Sequence, residues 1–388
     1  MRKLHVEAAA ASLSKHGEQL CGDHVEIART EDSVIAVLSD GLGSGVKANI
    51  LAMLTTRIAV TMLKGGAEID DVVDTITRTL PICQVRKVAY STFAIVQVFR
   101  DGRAYLVEYD TPDAFHVTGG QVRKVETARR TVADKVVREA NFTLEPGDHL
   151  FLVSDGVIYA GIGGILNLGW QWPNVADYIG RITPRGAQDA ALLAGWIVDV
   201  CDQFYAGKPG DDASVVVIAV REPRRVTVAV GPPKNPEDDG KMVENLVRAP
   251  GKKVVCGGTT GKIVARETGH ELQVELESMD RGVPPTAKLH GMDLVTEGII
   301  TLSRTLERLS DFQKHGRATG SLGGEDGASR LARILMDADR VDFIVGQAVN
   351  PAHQNPDLPI STTLKGQVLD EIRAILEGAG KETSTVYY

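Results

Sequence analysis

Short apolar runs rich in β-branched residues dominate the first part of the chain: "HVEIAR", "SVIAVLSD", "STFAIVQVF", "GRAYLVEYD", "DAFHVTGGQVRKV", "HLFLVSD" and "ASVVVIAV". Turn residues separate them at Asp101-Gly102, Gly119-Gly120 and Pro146-Gly147-Asp148, a pattern that predicts mostly antiparallel sheet. Two longer segments, "SGVKANILAMLTTRIAVTMLKGG" and "GAQDAALLAGWIVDVCDQFY", repeat their apolar residues at helical spacing instead. Such helices bury their apolar stripe on sheet faces, so the predicted architecture is an α/β-β/α layered sandwich.

The pattern changes near Arg221–Arg225, where "VVVIAVREPRRVTVAV" sets a charged, proline-containing break between two β-branched runs. We place a domain boundary there, with one domain over residues 1–222 and a second over 226–388. The loop Gly231–Gly240, rich in Pro, Asp and Gly, falls inside the second domain. That domain reads as strands "RVTVAV", "KKVVC", "ELQVELE" and "RVDFIVGQAV" alternating with helices "KMVENLVR", "DLVTEGIITLSRTLERL", "ASRLARILMDA" and "TLKGQVLDEIRAIL", ending in a short "STVYY". Alternation of this kind predicts a second α/β unit with a largely parallel sheet, whose crevices outside the strand ends commonly bind ligands.

At 388 residues the chain is long enough for two cores. Its net charge of −8 gives no electrostatic reason to expect nucleic acid or an anionic membrane as partner. The cysteines, Cys21, Cys83, Cys201 and Cys256, are widely separated and form no Cys-x-x-Cys pair, so neither a zinc site nor a disulfide framework is predicted. Free thiols, an N-terminus that mixes Glu, His and Lys into its apolar residues, and no long uninterrupted apolar run lead us to expect a cytoplasmic protein.

Two of the apolar runs end alike, at Ser39-Asp40-Gly41 and Ser154-Asp155-Gly156. Each reads as a strand that delivers a carboxylate to its end, with glycine allowing a sharp turn. Asp23 stands just before one strand, and Asp211 and Asp212 just before another. Carboxylates converging on one rim repel, and oxygen-only donors select hard cations such as Mg²⁺ or Mn²⁺. Two such ions bridged by one Asp hold and acidify a water while neutralising phosphate oxygens, so the chemistry expected is metal-assisted phosphoester hydrolysis.

At these residues the sequence resembles the metal-dependent PPM protein serine/threonine phosphatases, and within them the stage II sporulation protein E-like branch. The motifs are Gly22-Asp23, "SDGLGSG" from Ser39, "VSDG" from Val153 and "GDDASVVV" from Gly210, in that order. The resemblance covers roughly residues 1–222. It implies that Asp40 bridges two metal ions, that the Gly41 carbonyl reaches one of them, that Asp155 and Asp211 hold the other, and that Asp23 acts directly or from behind. A metal-activated water would attack, with no Ser, Cys or His nucleophile. Substrates implied are phosphoserine or phosphothreonine on small regulatory proteins in sporulation or stress signalling, often anti-sigma-factor antagonists of the STAS type. Two departures stand out. Where many relatives have an arginine ahead of the first acidic motif, only Lys15 and His16 are present, and no acid closely follows the second Asp-Gly.

Trp170 and Trp172 fall where the family carries a variable flap, either in the core or facing a partner. His24, His116 and His149 have no spaced partner that marks a ligand set, and nothing marks Cys21 as a reactive thiol. In the second domain the turn Gly257-Gly258-Thr259-Thr260-Gly261 opens a helix and offers amides to an anion, without the spacing of a Walker loop. Two functions follow. In one the chain is an active phosphatase, with a phosphoprotein substrate, a second domain that senses a small-molecule ligand, and self-association as a homodimer. In the other the phosphatase fold is a scaffold for sensing or binding.

Overall fold

The computed structural model describes residues 3–79, 91–132, 135–186, 189–278, 282–315, 322–348 and 364–388. Cys83 lies outside them. Met1–Glu222 and Pro223–Tyr388 form two compact units.

The first unit runs β1 (His5–Leu13), β2 (Asp23–Arg29), β3 (Ser33–Gly41), α1 (Gly45–Lys64), α2 (Ile69–Thr79), β4 (Ser91–Phe99), β5 (Arg103–Tyr109), β6 (Phe115–Thr118), β7 (Gln121–Lys124) and β8 (Ala128–Val132). It continues through β9 (Lys135–Thr143), β10 (His149–Val153), α3 (Asp155–Ile158), α4 (Trp172–Gly186), α5 (Ala190–Phe204) and β11 (Ala213–Arg221). Two antiparallel sheets result, ordered β1-β11-β10-β6-β7 and β2-β3-β4-β5-β9-β8. They face each other through Val34, Ala36 and Leu38 of β3, Leu150 and Leu152 of β10, and Val216 and Ile218 of β11. The alternate residues turn outward: Ile35 and Val37 pack on α1 and α2, and Val215 and Val217 pack on α3–α5. Burial on both faces explains why β3 and β11 read as unbroken apolar runs rather than alternating ones.

This is the layered sandwich expected, with additions. β1, β8, β9, α2, the short α3 and α4 were not expected. The run "HVEAAAASL" is alanine-rich and a poor strand former, but residue-by-residue pairing of His5–Leu13 with β11 overrides local preference. Among the described residues α1 alone is long and apolar enough to cross a membrane; here Leu51, Ala59 and Val60 are buried in the α1–sheet layer.

The second unit contains β12 (Arg225–Val230), α6 (Asp239–Arg248), β13 (Lys252–Cys256), α7 (Gly258–Thr268), β14 (Gln273–Glu275), β15 (Thr286–Lys288) and β16 (Leu294–Thr296). α8 (Ile299–His315), α9 (Gly327–Asp337), β17 (Arg340–Val345), α10 (Leu364–Gly378) and β18 (Glu382–Tyr387) complete it. Its sheet is ordered β14-β15-β16-β13-β12-β17-β18, parallel from β16 to β18, with an antiparallel edge at β14 and β15. Three expectations are corrected. Of "RVDFIVGQAV" only Arg340–Val345 is strand, the chain leaving the sheet at Gly346. "ELQVELE" keeps only three strand residues before a 3₁₀ turn at Leu276–Ser278. "DLVTEGIITLSRTLERL" is not one helix, because Leu294–Thr296 is a buried strand on β13 and the helix begins after Gly298.

The two Ser-Asp-Gly motifs share a physical role. A Cβ on Gly41 would lie 2.1 Å from the Ala48 carbonyl oxygen, and one on Gly156 would lie 1.9 Å from that of Asp212. Both glycines therefore let backbone meet backbone, bringing α1 onto β3 and α3 onto the approach to β11. Gly156→Ala is expected to destabilise the first unit by about 2 kcal/mol or more, seen in urea unfolding of the full chain as a lower midpoint at unchanged slope. An unchanged midpoint would contradict this close approach.

Candidate metal-binding cleft

Antiparallel register sets Asp23, the first residue of β2, directly opposite Asp40 near the end of β3. Ser39 fixes the end of β3 by donating to the Thr92 carbonyl at 2.7 Å. In the other sheet Ser154 N–H donates to the Ser214 carbonyl at 3.0 Å, and Ser154 Oγ accepts from Ser214 N–H at 2.9 Å. That pair aligns Asp155, which opens α3, with Asp211 and Asp212 ahead of β11. The two sheets meet at this edge, since a Cβ on Gly22 would sit 2.8 Å from Asp212 Oδ2.

A cleft of about 740 Å³ opens there, lined by Asp40, Gly41, Asp155 and Asp211 along with Lys15 and Asp110. Asp23 is not on its wall but buried, 3% exposed. Both Asp23 carboxylate oxygens lack a hydrogen bond, although the Ser154 and Ser214 hydroxyls favour its ionised form. Burial, then the charges of Asp23, Asp155, Asp211 and Asp212, push the Asp40 carboxyl up to about 9. Burial also raises Asp23 to about 7, against the two serines and with help from Asp212 and Asp155. Asp155 is raised by burial and by Asp211 and Asp110. Asp211 is raised by burial, an effect opposed by the Asp212 N–H and by Lys15. Lys15 is tethered where it lies, its N–H donating to Asp212 Oδ1 at 2.9 Å.

Crowded, desolvated carboxylates and an orphaned buried acid are what a hard divalent cation would relieve, so the donor chemistry fits Mg²⁺ or Mn²⁺. As the side chains stand, no three His, Cys, Asp or Glu among the described residues are close enough together to hold a metal ion. Sequence reasoning missed Asp110, which ends "AYLVEYD" in the same way that Asp40 ends its run and adopts a positive φ of 54°. It left Trp172 open between core and a partner-facing place, and the structure puts it in the cleft lining. There Trp172 stacks on Phe115 at 4.5 Å, donates from Nε1 to the Asp113 carbonyl at 2.9 Å, and lies 5.0 Å beneath the Lys124 amine. Trp170, by contrast, is core, edge-on to Tyr178 and Phe204.

His24 is engaged by Thr56 at 2.8 Å. His116 has a partner after all, Asp148 at 3.1 Å, brought close by the β6–β10 pairing rather than by any sequence spacing. Burial and the charges of Asp23 and Asp212 push the Cys21 thiol up to about 12, away from reactivity. The turn Gly257–Gly261 belongs to the second unit, where Gly257 caps α7 and the remaining residues form its first turn.

Residues 30–221 match the family model for stage II sporulation protein E (SpoIIE). No curated protein matches the chain. Among solved structures it is similar to the PP2C phosphatase domain with a regulatory-domain fragment of the cell-fate determinant SpoIIE from Bacillus subtilis, at 22% identity and TM-score 0.48 over 57% of this chain and 64% of that one. The chain thus spans less than two thirds of that relative. It is also similar to the RsbU and RsbW domains of a Mycobacterium tuberculosis protein, at 17% identity and TM-score 0.46 over 63% and 68% of the two chains. A third likeness is to the SiaA PP2C domain of Pseudomonas aeruginosa, at 19% identity and TM-score 0.42 over 54% and 85%.

The raised carboxyls make a prediction with a definite sign. A folded-state pKa above the unfolded value gives stability that is complete below the unfolded pKa, near 4, and is lost as pH rises through the folded one. In EDTA the first unit is therefore expected to lose thermal stability as pH climbs through 7 towards 9. Asp40→Asn should raise its metal-free melting temperature at pH 8 by on the order of 5 °C, and if the unmutated chain melts higher with added Mn²⁺, that gain should be lost in the variant. A lower melting temperature in that variant would overturn the electrostatic account.

Proposed function

We propose that the N-terminal unit, a PP2C-type phosphatase domain of the SpoIIE family over residues 30–221, is a divalent-cation-dependent protein phosphatase acting on phosphoserine or phosphothreonine. One observation carries this reading: Asp40, Gly41, Asp155 and Asp211 line a single cleft together with Lys15, with Asp23 buried directly opposite Asp40 in the β2–β3 register. Asp40 and the Gly41 carbonyl on one sheet, and Asp155 and Asp211 on the other, would hold two Mn²⁺ or Mg²⁺ ions, with Asp23 behind them. Bound there, such ions acidify a water and neutralise the charge that builds on phosphoryl oxygens.

The protein's own groups do the rest. Lys15 faces the cleft beside Asp211 and supplies the ammonium that grips a phosphate oxygen. Trp172 and Lys124 form a wall against which a phosphorylated segment rests. No protein nucleophile is called for, consistent with the raised Cys21 thiol and the engaged His24. The partner we propose is a small phosphorylated regulatory protein of the STAS anti-sigma-factor antagonist type, met in the cytoplasm. A second reading, the fold as a binding scaffold, draws on the absence of three donors at ligating distance among the described residues.

Hydrolysis of p-nitrophenyl phosphate and of a phosphoserine peptide separates the two. Turnover is expected with Mn²⁺ or Mg²⁺ and not with EDTA, with kcat lowered at least about a hundredfold in Asp40→Asn and Asp155→Asn. No turnover with any metal in a folded protein would favour the scaffold. Lys15→Ala is expected to raise KM about tenfold with a smaller change in kcat; an unchanged KM would remove Lys15 from phosphate binding.

A further inference from the structure

The phosphatase chemistry uses no residue of the second unit. Its parallel strands lie in the order β16-β13-β12-β17-β18, so successive strands are added on one side of β12 and then on the other. Ligands of such sheets sit beyond the carboxyl ends of the strands near that reversal. Gly231 follows β12 and Gly346 follows β17, and these loops touch backbone to backbone: a Cβ on Gly346 would lie 2.1 Å from the Pro232 carbonyl oxygen. The Lys365 amine, from the first turn of α10, enters here. It donates to the Gly346 carbonyl at 2.5 Å and lies 2.7 Å from the position of a Cβ on Gly231. Burial lowers its pKa, and no carboxylate among the described residues pairs with it.

The loop after β13 borders the same spot. Gly257, with φ 131°, caps the eleven-residue helix α7, and a Cβ built on it would be 3.9 Å from Gly231 N. Thr260, in the first turn of α7, is 0% exposed, and its hydroxyl has no hydrogen-bond partner. That hydroxyl points back to the helix cap, 3.0 Å from where a Gly257 Cβ would stand. The Thr260 hydroxyl has no partner, the Lys365 ammonium keeps N–H groups beyond the one it gives Gly346, and the positive end of α7 lies beside them, a set of donors that suits an anion. On the other flank Glu297, after β16, places Oε1 3.0 Å from a Cβ on Gly258. Alone this acid would repel an anion, but beside the donors it suits the hydroxyls of a phosphorylated sugar.

We propose that the carboxyl edge of the second unit binds a nucleotide, with its phosphate on the α7 N-terminus and Lys365 and its ribose hydroxyls on Glu297. The test is isothermal titration of the full chain, in EDTA, with AMP, ATP, adenosine and inorganic phosphate. AMP or ATP is expected to saturate where adenosine does not, and Lys365→Met to weaken that binding about tenfold. Because Lys365 is half-buried, Glu297→Gln at an exposed position provides an independent arm: it should weaken AMP and tighten inorganic phosphate. Failure of AMP, ATP and phosphate all to saturate, or equal affinities in the folded Lys365→Met chain, overturns the site. Phosphate binding as tight as AMP, unchanged in Glu297→Gln, overturns its assignment to a nucleotide.

Discussion

Mutual repulsion among carboxylates drawn from both sheets is the constraint around which the first unit is organised. Folding brings Asp23 and Asp40 opposite each other and sets Asp155 and Asp211 across the edge from them. None of these groups gains from the arrangement without a counter-charge, so the scaffold has to impose it. It does so with elements buried on both faces, β3, β10 and β11, whose ends are difficult to displace. Within each Ser-Asp-Gly the labour is divided: the serine pins the strand end to its neighbour, the aspartate projects, and the glycine removes the side chain that would keep the next backbone away.

Much of this was legible because it is local. Apolar runs that end in Asp-Gly announce strand ends, and the long apolar segments that became α1 and α5 announce the outer layers. What escaped depends on partners distant in sequence. β1 is a strand because β11 is there to pair with it, not because alanine prefers sheet. His116 meets Asp148 only through the β6–β10 pairing. Asp110 carries the same strand-ending signature as Asp40 without the following glycine, and its place beside Asp155 emerges only when two strands of different sheets end together. Trp170 and Trp172, two positions apart, went to opposite fates, one into the core and one onto the cleft, a distinction that spacing alone does not make.

In the second unit the alternation of strand and helix sufficed for a parallel sheet, and the glycine-rich turn was recognisable as a helix opening. Gly231 and Lys365, more than a hundred residues apart in sequence, become neighbours of that turn only through the strand order. Glycine matters there for the reason it does in the first unit, because backbone and a charged tip occupy the space of a side chain.

The pairing of β1 with β11 also bears on the order in which the chain can fold as it is made. His5 lies opposite Arg221 and Leu13 opposite Ala213, so the first strand of this unit finds its ladder partner only once the last strand of the unit has been made. Until then the alanine-rich β1 and the unpaired edge of β10 stay open to other chains. Closure across so long a loop is slow. β12, which lies inside the next sheet between β13 and β17, follows β11 directly in the chain, which makes the few residues between Arg221 and Arg225 the point at which one unit finishes and the other starts.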